Sequence, residues 1–480
     1  MTLANAERVA FDHAGVEISD EAAERIATGR LRFELFMKAK GGYVYGSTTA
    51  PGARAKVVLS EEESVRQGAT LRKFVSLQAG VAGEMLSERC VRLAVFARLS
   101  NALTGSGKMR VRTAQAVTEL LHRVPSVPIQ AMACSGEVLP LTWLVAPLAD
   151  LPLEIGEAMA LINGSPFATA MACDVAMTTA RRLRLAEQVF AQSIEAAGCP
   201  ASHFDRRLAD HWIDPFYKQS LNNLHELLTD SQRDQLKHQA PTSWRVLPNV
   251  LANALRAVAE VSEAAEIGLQ SLKDNPTFIQ DGSCSDEDVV LSSGGYHDHR
   301  PAKAIDAVNS ALVDLCVLAS RQVSHLLDGD LGLPPLLSRT GDPVGTEYLA
   351  WGMTEPLATA GRASQATTLD VGLQDPAGNQ SDISSLGFLA YGKHREVARS
   401  FDACFATLAI TATLALEFRG GIKSSRTNWV QQIYDLVQST ARAVEVVGEP
   451  LRRAKELIRV CADEMPTPQF AEILLKSGRA

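Results

Sequence analysis

The chain has 480 residues, 46% of them hydrophobic and 6% aromatic, so it is long enough to bury a large aliphatic core. The net charge of −8 and the pI near 5.8 give no basic excess, which argues against a nucleic-acid partner or an anionic membrane surface. The eight cysteines include no Cys-x-x-Cys pair, which argues against a disulfide framework or a zinc site.

Helix-forming patterns predict an all-α protein. Ser19-Asp20-Glu21 is typical of a helix start, and helix formers continue to residue 39. Amphipathic or Ala-rich patterns follow at residues 60–105, 110–123, 165–200, 301–327, 346–362, 393–418 and 427–463. Aromatic and β-branched runs that favour strands are scarce. The Arg-Arg-Leu-Arg patch at residues 181–184 predicts a solvated or subunit-facing surface.

Two segments bear on where the protein resides. Residues 1–20 carry acidic side chains and lack the apolar region of a signal peptide. The apolar run at residues 405–418 is too short to span a bilayer and predicts a core helix. We therefore expect a cytoplasmic protein with no membrane partner.

A bend is predicted where small residues lead into Ser135-Gly136, followed by Glu137 and an apolar segment that contains proline. Glycine adopts backbone angles that other residues avoid. Such a bend, if strained, brings one residue's amide nitrogen close to the carbonyl carbon two residues back. That geometry permits backbone cyclisation, and loss of water then leaves a conjugated five-membered ring. Alone, the tripeptide is also consistent with an ordinary turn.

Residues 134–141 (C-S-G-E-V-L-P-L) resemble the A-S-G-D-L-A-P-L block of the histidine and phenylalanine ammonia-lyase family. In that family, Ala-Ser-Gly becomes the electrophilic 4-methylideneimidazole-5-one (MIO) group. The resemblance implies an MIO formed autocatalytically from Cys134, Ser135 and Gly136, with no metal. It also implies a histidine/phenylalanine ammonia-lyase-like fold and a homotetramer in which three chains build each active site.

The resemblance also implies a domain organisation. We expect an N-terminal domain over residues 1–195 that carries a tyrosine loop and the MIO-forming loop. A central bundle of long helices follows over residues 196–420, and C-terminal helices occupy residues 421–480.

Three further blocks carry residues that the family uses. The segment Y-G-S-T-T-A-P-G resembles the family's Y-G-x-x-T-G-F-G loop and places Tyr45 on its catalytic tyrosine. G-E-A-M-A-L-I-N-G resembles K-E-G-L-A-L-x-N-G and places Asn163 on an asparagine beside the MIO group. Q-A-P-T-S-W-R resembles Q-D-x-Y-S-x-R and places Arg245 on the arginine that clamps the substrate carboxylate. Without the resemblance, Tyr45 would be a packing anchor and Asn163 a helix-end residue.

The expected substrate pocket departs from the family. Ser76 and Leu77 occupy the selector positions where histidine and tyrosine lyases place a histidine, so those two substrates are disfavoured. Thr242 replaces the tyrosine of the arginine motif. Tyr296 replaces the phenylalanine of G-N-F-H-G, and Ser381 replaces a Glu or Gln expected to face the substrate.

The chemistry implied is elimination of ammonia. The MIO group would take the substrate amine, Arg245 the carboxylate, and Tyr45, as phenolate, the β-proton. A phenol with a pKa of ~10 is a poor base at neutral pH, so helix N-termini would have to lower this pKa. Re-addition of ammonia would give a 2,3-aminomutase. The other hypothesis is an inactive homologue that acts as a binding or assembly protein. His297 and His299 have no third ligand at useful spacing, which argues against a metal site.

Overall fold

A computed structural model provides the fold. It describes residues 1–39, 42–68, 71–75, 83–104, 107–130, 134–229, 239–280, 287–339, 346–368, 382–421, 448–467 and 469. Ser76, Leu77 and Ser381 lie outside these ranges, as does most of the expected C-terminal segment.

Helices make up most of the described chain, which confirms the predicted all-α class. They are α1 (Leu3–Phe11), α2 (Asp20–Ala39), α3 (Glu61–Gly68), α4 (Leu71–Val75), α5 (Glu88–Leu103), α6 (Val111–Glu119), α7 (Val138–Leu144), α8 (Glu157–Ile162), α9 (Pro166–Ala197), α10 (Pro215–Leu228), α11 (Thr242–Arg245), α12 (Leu247–Gln270), α13 (Arg300–Leu327), α14 (Glu347–Trp351), α15 (Thr354–Ala363), α16 (Gly387–Phe418) and α17 (Gly448–Asp463). Two short strands, β1 (Thr277–Ile279) and β2 (Val289–Leu291), pair antiparallel with Phe278 opposite Val290.

The chain divides into two compact units, each made of three separate stretches. The first unit comprises Met1–Val175, Val261–Ile305 and Thr367–Gly392. The second comprises Ala176–Glu260, Asp306–Ala366 and Lys393–Ala480. This division differs from the three consecutive segments expected from the sequence. Four of its boundaries fall inside the long helices α9, α12, α13 and α16, where composition gives no break.

Helix α5 lies in the core of the first unit. Its residues from Cys90 to Ala102 are buried, including two arginines. Arg92 satisfies its guanidinium by donating to the carbonyl oxygens of Val9 and Leu121, each at 2.8 Å. Burial of this charged group is therefore accompanied by hydrogen bonds, as the cost of desolvation requires.

In the second unit, Arg182 of α9 forms ion pairs with two other helices, α16 and α17. Its guanidinium donates to both oxygens of Asp402 in α16 at 2.9 Å, and to Asp463 of α17 at 2.8 and 2.9 Å. Arg182 is 2% exposed and Arg181 is 4% exposed. The prediction of a solvated or subunit-facing surface at residues 181–184 was therefore wrong for these two arginines. Both are buried and donate hydrogen bonds within the chain, Arg181 to the Met465 carbonyl and Arg182 to Asp402.

Among the described residues, α16 is the one helix long and apolar enough to cross a membrane by length and composition, with a mean hydropathy of 1.5 in its best window. The helix is longer than the apolar run seen in the sequence. However, 78% of that window is buried within the structure. Burial of this extent fits the predicted core helix.

Candidate active site

The loop that carries Tyr45 is held by its own hydrogen bonds. The Val44 N–H donates to Thr48 Oγ1 at 2.8 Å, and the Leu59 N–H donates to the Thr48 carbonyl at 2.9 Å. Gly46 has a φ of +68°, and a Cβ at this position would lie 2.4 Å from Cγ of Met159 in α8. The loop therefore packs on α8 at a point where only a glycine fits.

Tyr45 is half-buried within this loop. Its hydroxyl oxygen accepts a hydrogen bond from the Gly52 N–H at 2.9 Å. Burial raises the pKa of Tyr45 above its ordinary value of 10.0; the Gly52 N–H opposes this rise, and the phenol of Tyr296 adds to it. The single chain therefore shifts the pKa in the direction opposite to the one that a phenolate base at neutral pH requires, because desolvation exceeds the stabilising hydrogen bond.

The bend predicted at Ser135-Gly136 is present and spans two residues. Gly136 has φ +64° and ψ 18°, and Glu137 has φ +50° and ψ 29°. The left-handed conformation costs a non-glycine residue roughly 1–2 kcal/mol, so Glu137 requires external support. In this conformation the Glu137 N–H donates to the Cys134 carbonyl oxygen at 3.4 Å, across the tripeptide.

The side chain of Glu137 supplies that support. Its carboxylate is fully buried and accepts hydrogen bonds from the N–H groups of Phe167 at 2.7 Å and Ala168 at 2.9 Å. These donors belong to the first turn of α9, where N–H groups have no partner within the helix. Burial raises the pKa of Glu137 to about 8, while the two N–H groups and Lys273 act in the opposite direction.

Asn163 ends α8 and faces the bend. Its backbone carbonyl accepts from Nη1 of Arg98 at 2.8 Å, and its Nδ2 donates to the Asn275 carbonyl at 3.2 Å. Its Oδ1 is buried and has no hydrogen-bond partner among the described residues. A Cβ on Gly136 would lie 2.5 Å from this oxygen. The structure therefore brings Asn163 to the tripeptide, with an unused acceptor directed at Gly136.

Tyr296 reaches the tripeptide from the turn after β2. The Ser293 N–H donates to Asn275 Oδ1 at 3.0 Å, which ties this turn to the segment before β1. Ser135 Oγ donates to the hydroxyl oxygen of Tyr296 at 3.4 Å. The Tyr296 ring also lies against Gly136, with Cδ2 3.0 Å from the position of a Cβ. Tyr296 therefore contacts two residues of the bend, the side chain of Ser135 and the backbone of Gly136.

Two lysine–aspartate pairs in the first unit, with both lysines buried, were not predicted from the sequence. Lys108 Nζ lies 2.7 Å from Asp274 Oδ2 and donates to the Pro276 carbonyl at 2.7 Å. Lys273 pairs with Asp298 and donates to Thr169 Oγ1 at 2.8 Å.

Arg245 and Thr242 lie in the second unit, on the short helix α11. The Arg245 Nε donates to the Ala240 carbonyl at 2.9 Å. Within the described ranges, the two terminal nitrogens of Arg245 make no hydrogen bond or ion pair, and Arg245 and Thr242 are both exposed. The fork of Arg245 is thus available to a carboxylate.

The imidazole rings of His297 and His299 lie 4.9 Å apart. Burial lowers the pKa of His297, and His299 adds to this effect. The described part of the chain contains no group of three or more His, Cys, Asp or Glu side chains placed to hold a metal ion.

Comparison with known proteins identifies the family. The sequence profile of the aromatic amino acid lyases matches residues 1–150 and 144–439. The chain belongs to this family. Its members are ammonia-lyases and aminomutases. The matched residues include the block at residues 134–141, which contains Ser135.

Relatives match along nearly their whole length. The chain is 25% identical to a histidine ammonia-lyase from Caldanaerobacter subterraneus, over 100% of this chain and 97% of the relative. It superposes on the ergothioneine-degrading ergothionase from Treponema denticola with a TM-score of 0.84 at 18% identity, over 96% of this chain and 97% of that one. Tyrosine aminomutase from Streptomyces globisporus gives 0.82 at 21% identity, over 99% and 97%. The predicted ammonia-lyase-like fold is thereby confirmed.

Proposed function

We propose that this protein eliminates ammonia from an L-α-amino acid through an MIO electrophile formed from Cys134, Ser135 and Gly136. A 2,3-aminomutase with the same electrophile is the related alternative. The observation that carries the proposal is the bend itself. It combines a left-handed Gly136, a buried Asn163 Oδ1 that has no hydrogen-bond partner among the described residues, and a carboxyl group that holds Glu137 in a left-handed conformation.

The residues around the tripeptide fit the MIO group. A side chain at Gly136 is disfavoured, because the residue has φ +64° and a Cβ would lie 2.5 Å from Asn163 Oδ1. Asn163 lies directly against Gly136, and Glu137 fixes the backbone on the C-terminal side of the tripeptide. Cys134 changes only a substituent of the ring. When formed, the MIO group supplies an electrophile for the amine of the substrate.

Side chains of the protein would bind the carboxylate of the substrate and remove its β-proton. Arg245, whose terminal nitrogens have no hydrogen-bond partner in the described part of the chain, would bind the carboxylate in a paired arrangement. The Tyr45 hydroxyl would take the β-proton, with the Gly52 N–H stabilising the phenolate oxygen. Because burial raises the pKa of Tyr45, we infer that helix N-termini or cationic groups of other chains lower it in the assembled enzyme.

We propose that the substrate is an amino acid other than histidine. Its pocket would be lined by Ser76, Leu77, Tyr296, Thr242 and Ser381. The absence of a histidine at residues 76–77 supports this, although those residues lie outside the described ranges. The relatives named histidine ammonia-lyase argue for keeping histidine among the compounds tested.

We further propose a cytoplasmic homotetramer whose chains share active sites. Large apolar side chains on the second unit support an assembly. Tyr348 and Trp351 of α14 are 62% and 66% exposed, and Ile213 before α10 is 94% exposed. A monomer at micromolar concentration would contradict this proposal.

The first experiment is the intact mass of the purified protein. A deficit of two waters that digestion maps to residues 134–136 is the expected result, since one water leaves on ring closure and one from Ser135. Ser135→Ala is the matched control and can lose at most the first. An unmodified wild-type mass would favour the inactive, binding-protein hypothesis.

The second experiment measures ammonia release from a panel of L-amino acids that includes histidine, tyrosine and phenylalanine, with β-amino acid products assayed in parallel. Replacing Arg245 by Met should raise KM by about tenfold or more, since a charge-assisted pair to the carboxylate is lost. Arg207→Met removes an exposed arginine that pairs with Asp205 and serves as the control. Equal kinetics of the two variants would remove Arg245 from the site.

A further inference from the structure

We propose that Tyr296 is the proton donor for the dehydration of Ser135 while the MIO group forms. This inference rests on the proposed function, because it concerns the maturation of the same tripeptide. It assigns a chemical role to a phenol that this chain carries where the family's block has a phenylalanine.

The geometry of the unmodified tripeptide supports this role. Among the described residues, the Tyr296 hydroxyl is the group that hydrogen-bonds to Ser135 Oγ, at 3.4 Å. Ser135 is the donor in this arrangement, and rotation of the two hydroxyl hydrogens reverses the direction. The separation exceeds the usual value of about 2.7–2.8 Å for hydroxyl pairs, so the two oxygens must approach by roughly 0.6 Å when the proton is transferred.

The other polar groups near the bend have different partners. The hydrogen bonds of the Tyr45 hydroxyl and the Glu137 carboxyl group run to the Gly52 N–H and to the first turn of α9, and neither group hydrogen-bonds to Ser135 Oγ within the described ranges. The free Asn163 Oδ1 is an acceptor and has no proton to give. Among the described residues, Tyr296 is therefore the proton-bearing group placed at the leaving oxygen.

The step balances without a further reactant. The Cβ–Oγ bond of Ser135 breaks, and Oγ leaves with the bonding pair, its own hydrogen and the Tyr296 proton, as water. The Cα–H bond supplies the electron pair of the new Cα=Cβ double bond, and its proton passes to solvent, which reaches the half-buried Ser135. The Tyr296 phenolate then regains a proton from solvent. One water is lost in total, and nothing is oxidised or reduced.

The position of Tyr296 against Gly136 gives it a second contribution that must be separated from proton transfer. Its ring packs on the glycine and would confine the bend even without a hydroxyl. Tyr296→Phe keeps the ring, removes the hydroxyl and introduces the residue that the family's block has. It therefore isolates the proton-donating role from the packing role.

The test follows the mass of freshly synthesised full-length chain in a cell-free system over time. Wild type should reach a deficit of two waters. Tyr296→Phe should lose the Ser135 water about a hundredfold more slowly, the lower end of the effect of a general acid, and remain one water heavier. Tyr348→Phe, which removes an exposed phenol, should mature as wild type does. Circular dichroism verifies that each variant is folded.

A second substitution keeps the test decisive if Tyr296→Phe does not fold. Incorporation of 3-fluorotyrosine at residue 296 keeps the shape of the side chain and makes its phenol more acidic. The second water should then leave several-fold faster at the same pH, because general acids follow Brønsted behaviour. Maturation of Tyr296→Phe at the wild-type rate, or an unchanged rate with fluorotyrosine, would overturn the inference alone. A wild-type chain without any deficit would overturn the proposed function as well.

Discussion

Gly136→Ala tests whether the bend is confined by its neighbours as well as by its backbone angles. A residue other than glycine at φ +64° costs roughly 1–2 kcal/mol. A new Cβ would also lie 2.5 Å from Asn163 Oδ1 and 3.0 Å from Tyr296 Cδ2, and overpacking of this kind costs roughly 1–3 kcal/mol. We expect the variant to lose about 2–5 kcal/mol of unfolding free energy.

Two other glycines separate these contributions. Gly332 has a φ of +70° and nothing within 4 Å of a Cβ, so Gly332→Ala should lose only the conformational part, about 1–2 kcal/mol. Gly361 lies in α15 with an ordinary φ and open space, so Gly361→Ala should gain roughly 0.5–1 kcal/mol.

The assay is equilibrium unfolding in urea at one protein concentration, since assembly makes apparent stability depend on concentration. The quantity of interest is the difference between Gly136→Ala and Gly332→Ala. A difference of about 1–3 kcal/mol is the contact contribution. If the two variants were equally stable, Asn163 and Tyr296 would not confine the bend, and the argument that these residues fit the ring would fail.

Three further predictions follow from charge and burial. Ammonia release should rise with pH to a plateau, because the Tyr45 hydroxyl acts as a base only when it is deprotonated, and a pH–rate profile of the assembled enzyme measures this. The pKa of Glu137 is about 8 in the folded chain against an ordinary 4.5, so folding binds a proton there and stability falls as pH rises between these values. Glu137→Gln should abolish that part of the slope, worth of the order of 5 kcal/mol in total, in urea titrations at several pH values. Arg182→Met should cost about 3–5 kcal/mol, because it leaves Asp402 and Asp463 buried or half-buried without their partner.

Each of these has a contrary outcome. A rate that is flat with pH would mean that Tyr45 is not the base or that its pKa is already low in the assembly. Parallel pH–stability curves for wild type and Glu137→Gln would place the carboxylate in an ionised state throughout. Arg207→Met, at an exposed pair, should change stability by at most about 1 kcal/mol, and an Arg182→Met effect of that size would contradict the burial argument.

The sequence determined the helical class, the bend at Ser135-Gly136 and the family blocks, because these depend on residues close together in the chain. Hydrophobic periodicity predicts a helix locally, and glycine predicts a bend locally. The same blocks named Tyr45, Asn163, Arg245 and Tyr296 as site residues.

Only the tertiary structure decided which of these residues meet and in what environment. Ser135 and Tyr296 are 161 positions apart, and spacing in the sequence says nothing about their hydrogen bond. Burial likewise depends on what packs around a group. It raises the pKa of Tyr45, where the chemistry had suggested a lowered one, and it places Arg182 in the interior, where its pattern had suggested a surface. Charge and helical period are local properties, whereas desolvation belongs to the whole fold.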